Sequence, residues 1–419
     1  MSPGTEEARF GRTHRWRVLA VGVAANASFA IALAGIPATA VFMRAGYRLG
    51  TGDVGAVLGA LGLGAAVSEL PWGIVADRLG DRSVLLGGLG GTGLLLGLMA
   101  AFVSPTPPHI PTATVLALGL LLVGAVGGSL NGASGRAIMR WFHDGERGFA
   151  MSVRQTALPA GGALGALLLP AFAQRFGFAA VYGAIAAFCV VTGAFAWAWL
   201  HEPPAAPPAV TRSIAPAAGG GIRPFSRDMW RILCGLGALC VPQITVVVFA
   251  AVFLHDVAGL GTAAISGSIV AFQVAAACAR IWSGRLTDRR RNRRPFLKAC
   301  AMATAALFAS LAACTSILAS FATPAVGAAA LAALVVLGGT AAQAWHGIAY
   351  TEIAVAAGAS RIATALGLAN TFAFGMYSVM PLAVPALLAA ASWAGLWFFA
   401  AACALLASLL FPGDRRLAA

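Results

Sequence analysis

Four ionisable side chains stand inside otherwise apolar stretches of this chain: Glu69, Arg154, Arg280 and His346. Charge in hydrocarbon is costly and is usually paired or functional, so the chemistry to look for is an ion pair, a proton carrier or a ligand for a charged solute. Glu69 has two roles open to it, a structural bridge to Arg154 or Arg136, or proton carriage. His346 has an imidazole whose intrinsic pKa lies near neutrality, suited to proton coupling or to a polar wall. Glu352, at the inner end of its stretch, belongs with the charges around Arg361. Seven amides are embedded in the same way: Asn26, Asn131, Gln155, Gln243, Gln273, Gln343 and Asn370. An unsatisfied amide in lipid is expensive, so these groups face water or one another. They are contacts for a polar solute or hydrogen-bonding glue between helices.

Other chemistries are poorly served. Paired carboxylates, a metal-ligand cluster and a Ser/His/Asp set are all missing from the sequence, which argues against an enzyme and against a cofactor. Gly88, Gly90 and Gly93 spell GxGxxG, but with no strand before them and no acidic residue at the nucleotide-binding distance. Asn26-Ala27-Ser28 matches a glycosylation triplet that the bilayer puts out of reach. The seven cysteines include no CxxC and read as packing residues.

The elements that must position these side chains are membrane helices. Of 419 residues, 59% are hydrophobic and 10% charged, against about 25% charged in a soluble domain. About 20 apolar residues cross the hydrocarbon, and polar breaks divide the chain into twelve such spans. They run over 17–42, 52–76, 83–103, 112–136, 149–172, 177–200, 229–254, 262–286, 296–320, 325–349, 362–388 and 391–411. The break near Ala389 rests only on Pro381, Pro385 and length. Trp16 to Phe42 is too long for a signal-peptide core and reads as the first span. With both termini inside, 25 of the 28 basic residues fall on the inner side, leaving Arg44, Arg48 and Arg175 outside. The positive-inside rule therefore predicts cytoplasmic termini in a bacterial inner membrane. The net charge of +14 follows from this topology and from anionic headgroups, with Arg289 to Arg294 as a lipid anchor, rather than from nucleic acid. At the outer ends, Arg44, Tyr47, Arg48, Asp53, His255 and Asp256 can close the mouth or remain solvated loop residues.

One tight polar turn, PWGIVADRLGDRSVLL at 71–86, has an imperfect second copy. Gly284, Leu286, Asp288 and Arg289 repeat Gly73, Val75, Asp77 and Arg78 at an offset of 211, and at that offset Glu69 faces Arg280. Gln155, Thr156 and Gly161 correspond to Asn370, Thr371 and Gly375 at a slightly larger offset. The Pro/Ala/Gly-rich segment 201–228 is a linker between two halves, 16–200 and 229–411, flanked by tails 1–15 and 412–419. Duplicated halves of this size are a common transporter plan.

Gly73, Val75, Ala76, Asp77, Arg78, Gly80, Arg82 and Leu85 follow the pattern G-x-L-A-D-R-x-G-R-K-x-x-L, and WFHDGERG at 141–148 looks like a second family loop. In these features, its span count and its linker, the chain resembles the major facilitator superfamily. The resemblance implies an all-α fold of two six-helix bundles, working as a monomer. It implies that spans 1, 4, 7 and 10 line a cavity, that 2, 5, 8 and 11 flank it, and that 3, 6, 9 and 12 lie outside; every embedded amide falls in the first two groups. It also implies that Asp77 meets the start of span 11, near Ser360 and Arg361, as a latch on the cytoplasmic face. Asp81 departs from the pattern at a usually basic position, and the second copy lacks the glycine after its aspartate. Leu120 stands where many proton-coupled members have an arginine. Pro159, Gly161 and Gly162 only partly match the antiporter motif.

The function these features predict is secondary transport of a small organic solute or anion by alternating access, with proton coupling open. The alternatives are drug or metabolite efflux, and a receptor or assembly factor on the same fold.

Overall fold

A lipid-embedded backbone must satisfy its own hydrogen bonds, and the chain does so as helix almost throughout. The computed structural model describes residues 13–106, 109–201, 225–320 and 324–413. Most of the predicted N-terminal tail, linker and C-terminal tail, with Arg212, Arg415 and Arg416, lies outside the described residues. We number the helices α1 (His14–Ala38), α2 (Thr51–Leu79), α3 (Asp81–Leu98), α4 (Ala113–Trp141), α5 (144–176), α6 (178–199), α7 (Arg227–Asp256), α8 (Thr262–Arg290), α9 (Arg293–Ser320), α10 (324–357), α11 (362–391) and α12 (393–410).

Two of these boundaries interrupt a continuous run of helix. Asp144–Trp199 breaks only at Gly177, with φ 75°, and Ile362–Leu410 only at Ser392, with φ 61°. The last break thus falls three residues beyond Ala389. Side-chain caps start two helices: Thr112 accepts from Val115 N–H at 3.4 Å, and Ser226 from Met229 N–H at 3.2 Å. Two others are interrupted inside: α4 at Gly128, and α10 at 342–345. α10 then continues to Ala357, past the predicted end at 349.

Each half has its own apolar core. Near the face carrying the α2–α3 and α8–α9 turns, here called the basic face, the cores interlock. Ala363 of α11 joins the core of the first half, while Ile138, Met139 and Met151 join that of the second. α2 packs along α11 and α5 along α8. Large apolar side chains such as Phe102, Leu167, Trp197, Trp282 and Leu409 are exposed on the outside, the surface expected toward acyl chains. The result is a multi-pass helical membrane protein.

Candidate functional site

Asp77 lies in the last turn of α2 with its carboxylate across the boundary between the halves. Ala363 N–H donates to one oxygen at 3.0 Å and Thr364 N–H to the other at 2.7 Å. These are unpaired N–H groups in the first turn of α11, where the helix dipole also favours a negative charge. These donors lie two and three residues beyond Arg361, just past the predicted start at Ser360 and Arg361. The mirror contact is present: Gly148 and Phe149 N–H, at the start of α5, donate to Asp288 at 3.1 and 2.8 Å. Close helix approach makes both contacts feasible. A Cβ on Gly73 would stand 2.4 Å from the Ala363 carbonyl, and one on Gly284 would stand 2.6 Å from that of Gly148.

The basic partners are not the ones adjacent in the motif. Arg78 and Arg289 are exposed, because the residue after the aspartate points away from the facing half. Arg136 of α4 instead reaches Asp77 at 3.2 Å and Asp81 at 2.6 Å. Asp81 therefore has a clear role: it holds Arg136 from α3, with Arg140 3.8 Å away. In the second half the charges are reversed. Arg293 and Arg294, at the start of α9, meet Glu352 of α10, and Arg293 also reaches Asp288 at 2.9 Å. Glu352 thus belongs to Arg293 and Arg294 rather than to Arg361, whose guanidinium lies over the Phe225 ring. Arg294 is buried, so the predicted lipid anchor loses that end of its run. Gly80 turns the chain at φ 88°, and Arg82 donates to the Trp197 carbonyl at 2.9 Å.

Further into the membrane, a polar layer crosses both halves. Glu69 is fully buried, and its oxygens accept from the Asn131 amide in its own half and the Asn370 amide in the other, the latter at 3.0 Å. Tyr350 donates to Asn370 at 2.6 Å. The predicted bridge from Glu69 to Arg154 or Arg136 is not formed. Arg136 is committed to Asp77 and Asp81, and Asn131 stands between Glu69 and Arg154. Arg154 donates instead to Ser134 Oγ at 2.9 Å and to the Asn131 carbonyl at 2.5 Å.

Arg280 mirrors Glu69 with opposite charge. It donates to the Gln343 carbonyl at 2.8 Å, to Gln343 Oε1 at 3.1 Å, and across the boundary to the Gln155 carbonyl at 2.9 Å. The interruption of α10 at 342–345 makes this possible, since carbonyls in an irregular turn are open to side-chain donors. Gln343 also donates to Gln273 Oε1 at 3.0 Å. His346 stacks on Trp345, with Nδ1 3.3 Å from the Gln343 carbonyl, and stays within its own half. Asn26 donates to the Arg154 carbonyl at 3.4 Å. The buried oxygens Asn26 Oδ1, Asn131 Oδ1 and Gln243 Oε1 accept no hydrogen bond within the protein. Gln243 is thus not joined to the layer through that oxygen.

At the opposite face, the predicted mouth residues make contacts inside their own halves. Asp53 accepts from Gly50 N–H at 3.0 Å, His255 meets Asp256 at 2.7 Å, and buried Tyr47 donates to the Val103 carbonyl at 2.7 Å. Arg44 and Arg48 are exposed. Sequence reasoning overlooked Tyr350, Ser134 and the pairing of Arg293. Arg136 and Asp81 were visible, but nothing in their spacing joined them. The reversed signs at equivalent positions of the repeat were the available signal.

A duplicated twelve-helix membrane protein with aspartates crossing between its halves is the class that this geometry defines. The sequence model of the Major Facilitator Superfamily matches residues 18–381, and the chain belongs to that family. An uncharacterized MFS-type transporter of Mycobacterium tuberculosis is 28% identical over 303 residues, 70% of this chain and 64% of the relative. The match thus spans less than two thirds of that relative's own length. Among solved structures, the proton:xylose symporter XylE bound to 6-bromo-6-deoxy-D-glucose aligns with TM-score 0.71 at 14% identity, covering 95% of each chain. The human organic anion transporter MFSD10 aligns with TM-score 0.71 at 15% identity, covering 95% of this chain and 99% of that one. A bacterial homologue of the iron transporter ferroportin, in an outward-facing state, aligns with TM-score 0.72 at 11% identity, covering 95% and 98%. At such identities these structures share the fold.

Proposed function

We propose that the protein is a secondary transporter that moves a small organic solute or anion by alternating access. The observation that carries this reading is the asymmetry between the two faces. At the basic face two aspartates reach across to the helix starts of the opposite half, whereas Asp53, His255 and Tyr47 at the other face bond within their own halves. Such a molecule is shut on one side and poised to separate on the other. Gly73, Asp77, Gly284 and Asp288 form the gate, supported by Asp81, Arg136, Arg293 and Glu352. The polar layer around Glu69, Asn131, Arg154, Arg280, Gln343 and Asn370 forms the floor of the solute path.

The gate works between halves 16–200 and 229–411, and the protein acts as a monomer without covalent chemistry on its solute. The basic face is cytoplasmic, in a bacterial inner membrane, with both termini on that side. Arg78, Arg289, Arg290 and Arg291 are exposed there and meet anionic headgroups. Coupling is to protons, with Glu69 as the carrier. It is held by amides from both halves, so separating them changes its environment, whereas His346 stays inside one half.

Counterflow of labelled solutes in proteoliposomes tests the carrier. Saturable exchange is expected, and its absence across sugars, carboxylates and amines would leave a receptor on this fold. Uptake with and without an uncoupler tests the coupling; equal accumulation would remove Glu69 from that role.

A further inference from the structure

Two guanidinium groups lie in the polar layer and, among the described residues, no carboxylate stands at ion-pair distance from either. Arg154 is 1% exposed and Arg280 3% exposed. Their hydrogen-bond acceptors are uncharged oxygens: Ser134 Oγ and the Asn131 carbonyl for the first, Gln343 and the Gln155 carbonyl for the second. Every basic side chain of the gate behaves differently, since Arg136, Arg293 and Arg294 each meet a carboxylate directly. Glu69, the carboxylate of the layer, gives its two oxygens to Asn131 and Asn370 instead. The layer therefore carries two buried positive charges against one negative charge.

An arginine buried without a counter-ion has given up its hydration for neutral dipoles alone, which is an expensive state. An anion that arrives from solution supplies the missing charge, and the planar fork of a guanidinium matches a carboxylate. The two arginines also belong to different halves. Arg154 is on α5 and Arg280 on α8, and Arg280 already bonds to the carbonyl of the residue following Arg154.

We infer that the transported solute is a small organic carboxylate, whose negative charge is held by Arg154 of one half and Arg280 of the other. This rests on the transporter reading above and narrows its substrate class. The same charge balance disfavours organic cations.

The test is thermal unfolding of the purified full chain in detergent with a paired panel. Sodium formate, acetate, lactate and benzoate, at matched ionic strength, are compared with formamide, acetamide, lactamide and benzamide. The expected result is that at least one carboxylate raises Tm while its amide does not, because binding to the folded state alone stabilises it. In Arg154→Gln and Arg280→Gln the half-effective concentration rises by about tenfold or more, and Arg280→Lys recovers part of the effect. Equal shifts from acid and amide, no shift from any acid, or a full shift in both glutamine variants overturns the assignment. If those variants do not fold, the acid-against-amide comparison on the unaltered protein decides. Reactivity of Thr364→Cys toward an impermeant maleimide is read alongside. Carboxylate binding with no change in that reactivity leaves the site standing and removes the alternating carrier.

Discussion

Asp77 holds two N–H groups of the facing half with two oxygens, so changing one atom tests the contact. Asp77→Asn keeps the size but loses the charge and one acceptor. Hydrogen bonds to a charged group contribute about 1.5–3 kcal/mol each, so the shut form weakens by about tenfold or more. In inside-out vesicles, Thr364→Cys is expected to label faster with an impermeant maleimide in the Asp77→Asn background, at unchanged membrane level. Equal labelling would show that the carboxylate does not hold the gate. Asp81 makes a different prediction, because it pairs with an arginine already buried beside Asp77. Arg136 keeps Asp77 when Asp81 is removed, so the loss is one charge-assisted contact of about 1.5–3 kcal/mol. Asp81→Ala should therefore lower Tm in the solute-free protein more than Arg78→Ala, whose side chain is exposed.

At the level of elements, the proposed gate depends on how closely α2 meets α11 and α8 meets α5. Neither Gly73 nor Gly284 has room for a Cβ against the facing carbonyl, and backbone atoms yield less readily than side chains. Gly73→Ala should push α2 from α11 and favour the form open at the basic face. The expected readout is faster labelling of Thr364→Cys with little loss of Tm, since the halves separate without unfolding. A large fall in Tm with unchanged labelling would make the glycine a packing residue only. The interruptions of α4 and α10 have a complementary use. They release backbone oxygens at membrane depth, and at 342–345 one of these meets Arg280.

Across the whole molecule, the repeat conserves geometry while reversing charge. Glu69 and Arg280 occupy equivalent places and each bonds an amide residue of its own half, Asn131 or Gln343, and one of the other, Asn370 or Gln155. At the gate, Asp81 with Arg136 is answered by Arg293 with Glu352. Inversion lets both halves use the same helix contacts without placing like charges opposite each other in low dielectric. Orientation is a whole-molecule property and is tested with reporters. Green fluorescent protein after Ala419 should fluoresce, and alkaline phosphatase inserted between 104 and 112 should be active. The reverse pattern would turn the gate to the outside and overturn the assignment of sides.

The sequence by itself determined the membrane class, the span pattern, the repeat and the family. Those follow from run lengths of apolar residues, from charge asymmetry and from a turn whose residues recur at fixed spacing, all of which are local or periodic properties. It also named most of the polar layer, because a polar atom in hydrocarbon stands out against any apolar background. Only the tertiary structure decided who bonds to whom. Glu69 had arginines within plausible reach along the chain, yet its partners are Asn131 and Asn370, the second 301 residues away. Arg136, Asp81, Arg293 and Glu352 likewise found partners through helix rotation and the crossing of the halves. Pairing depends on distances of an ångström or two between helices, and neither composition nor spacing carries that information.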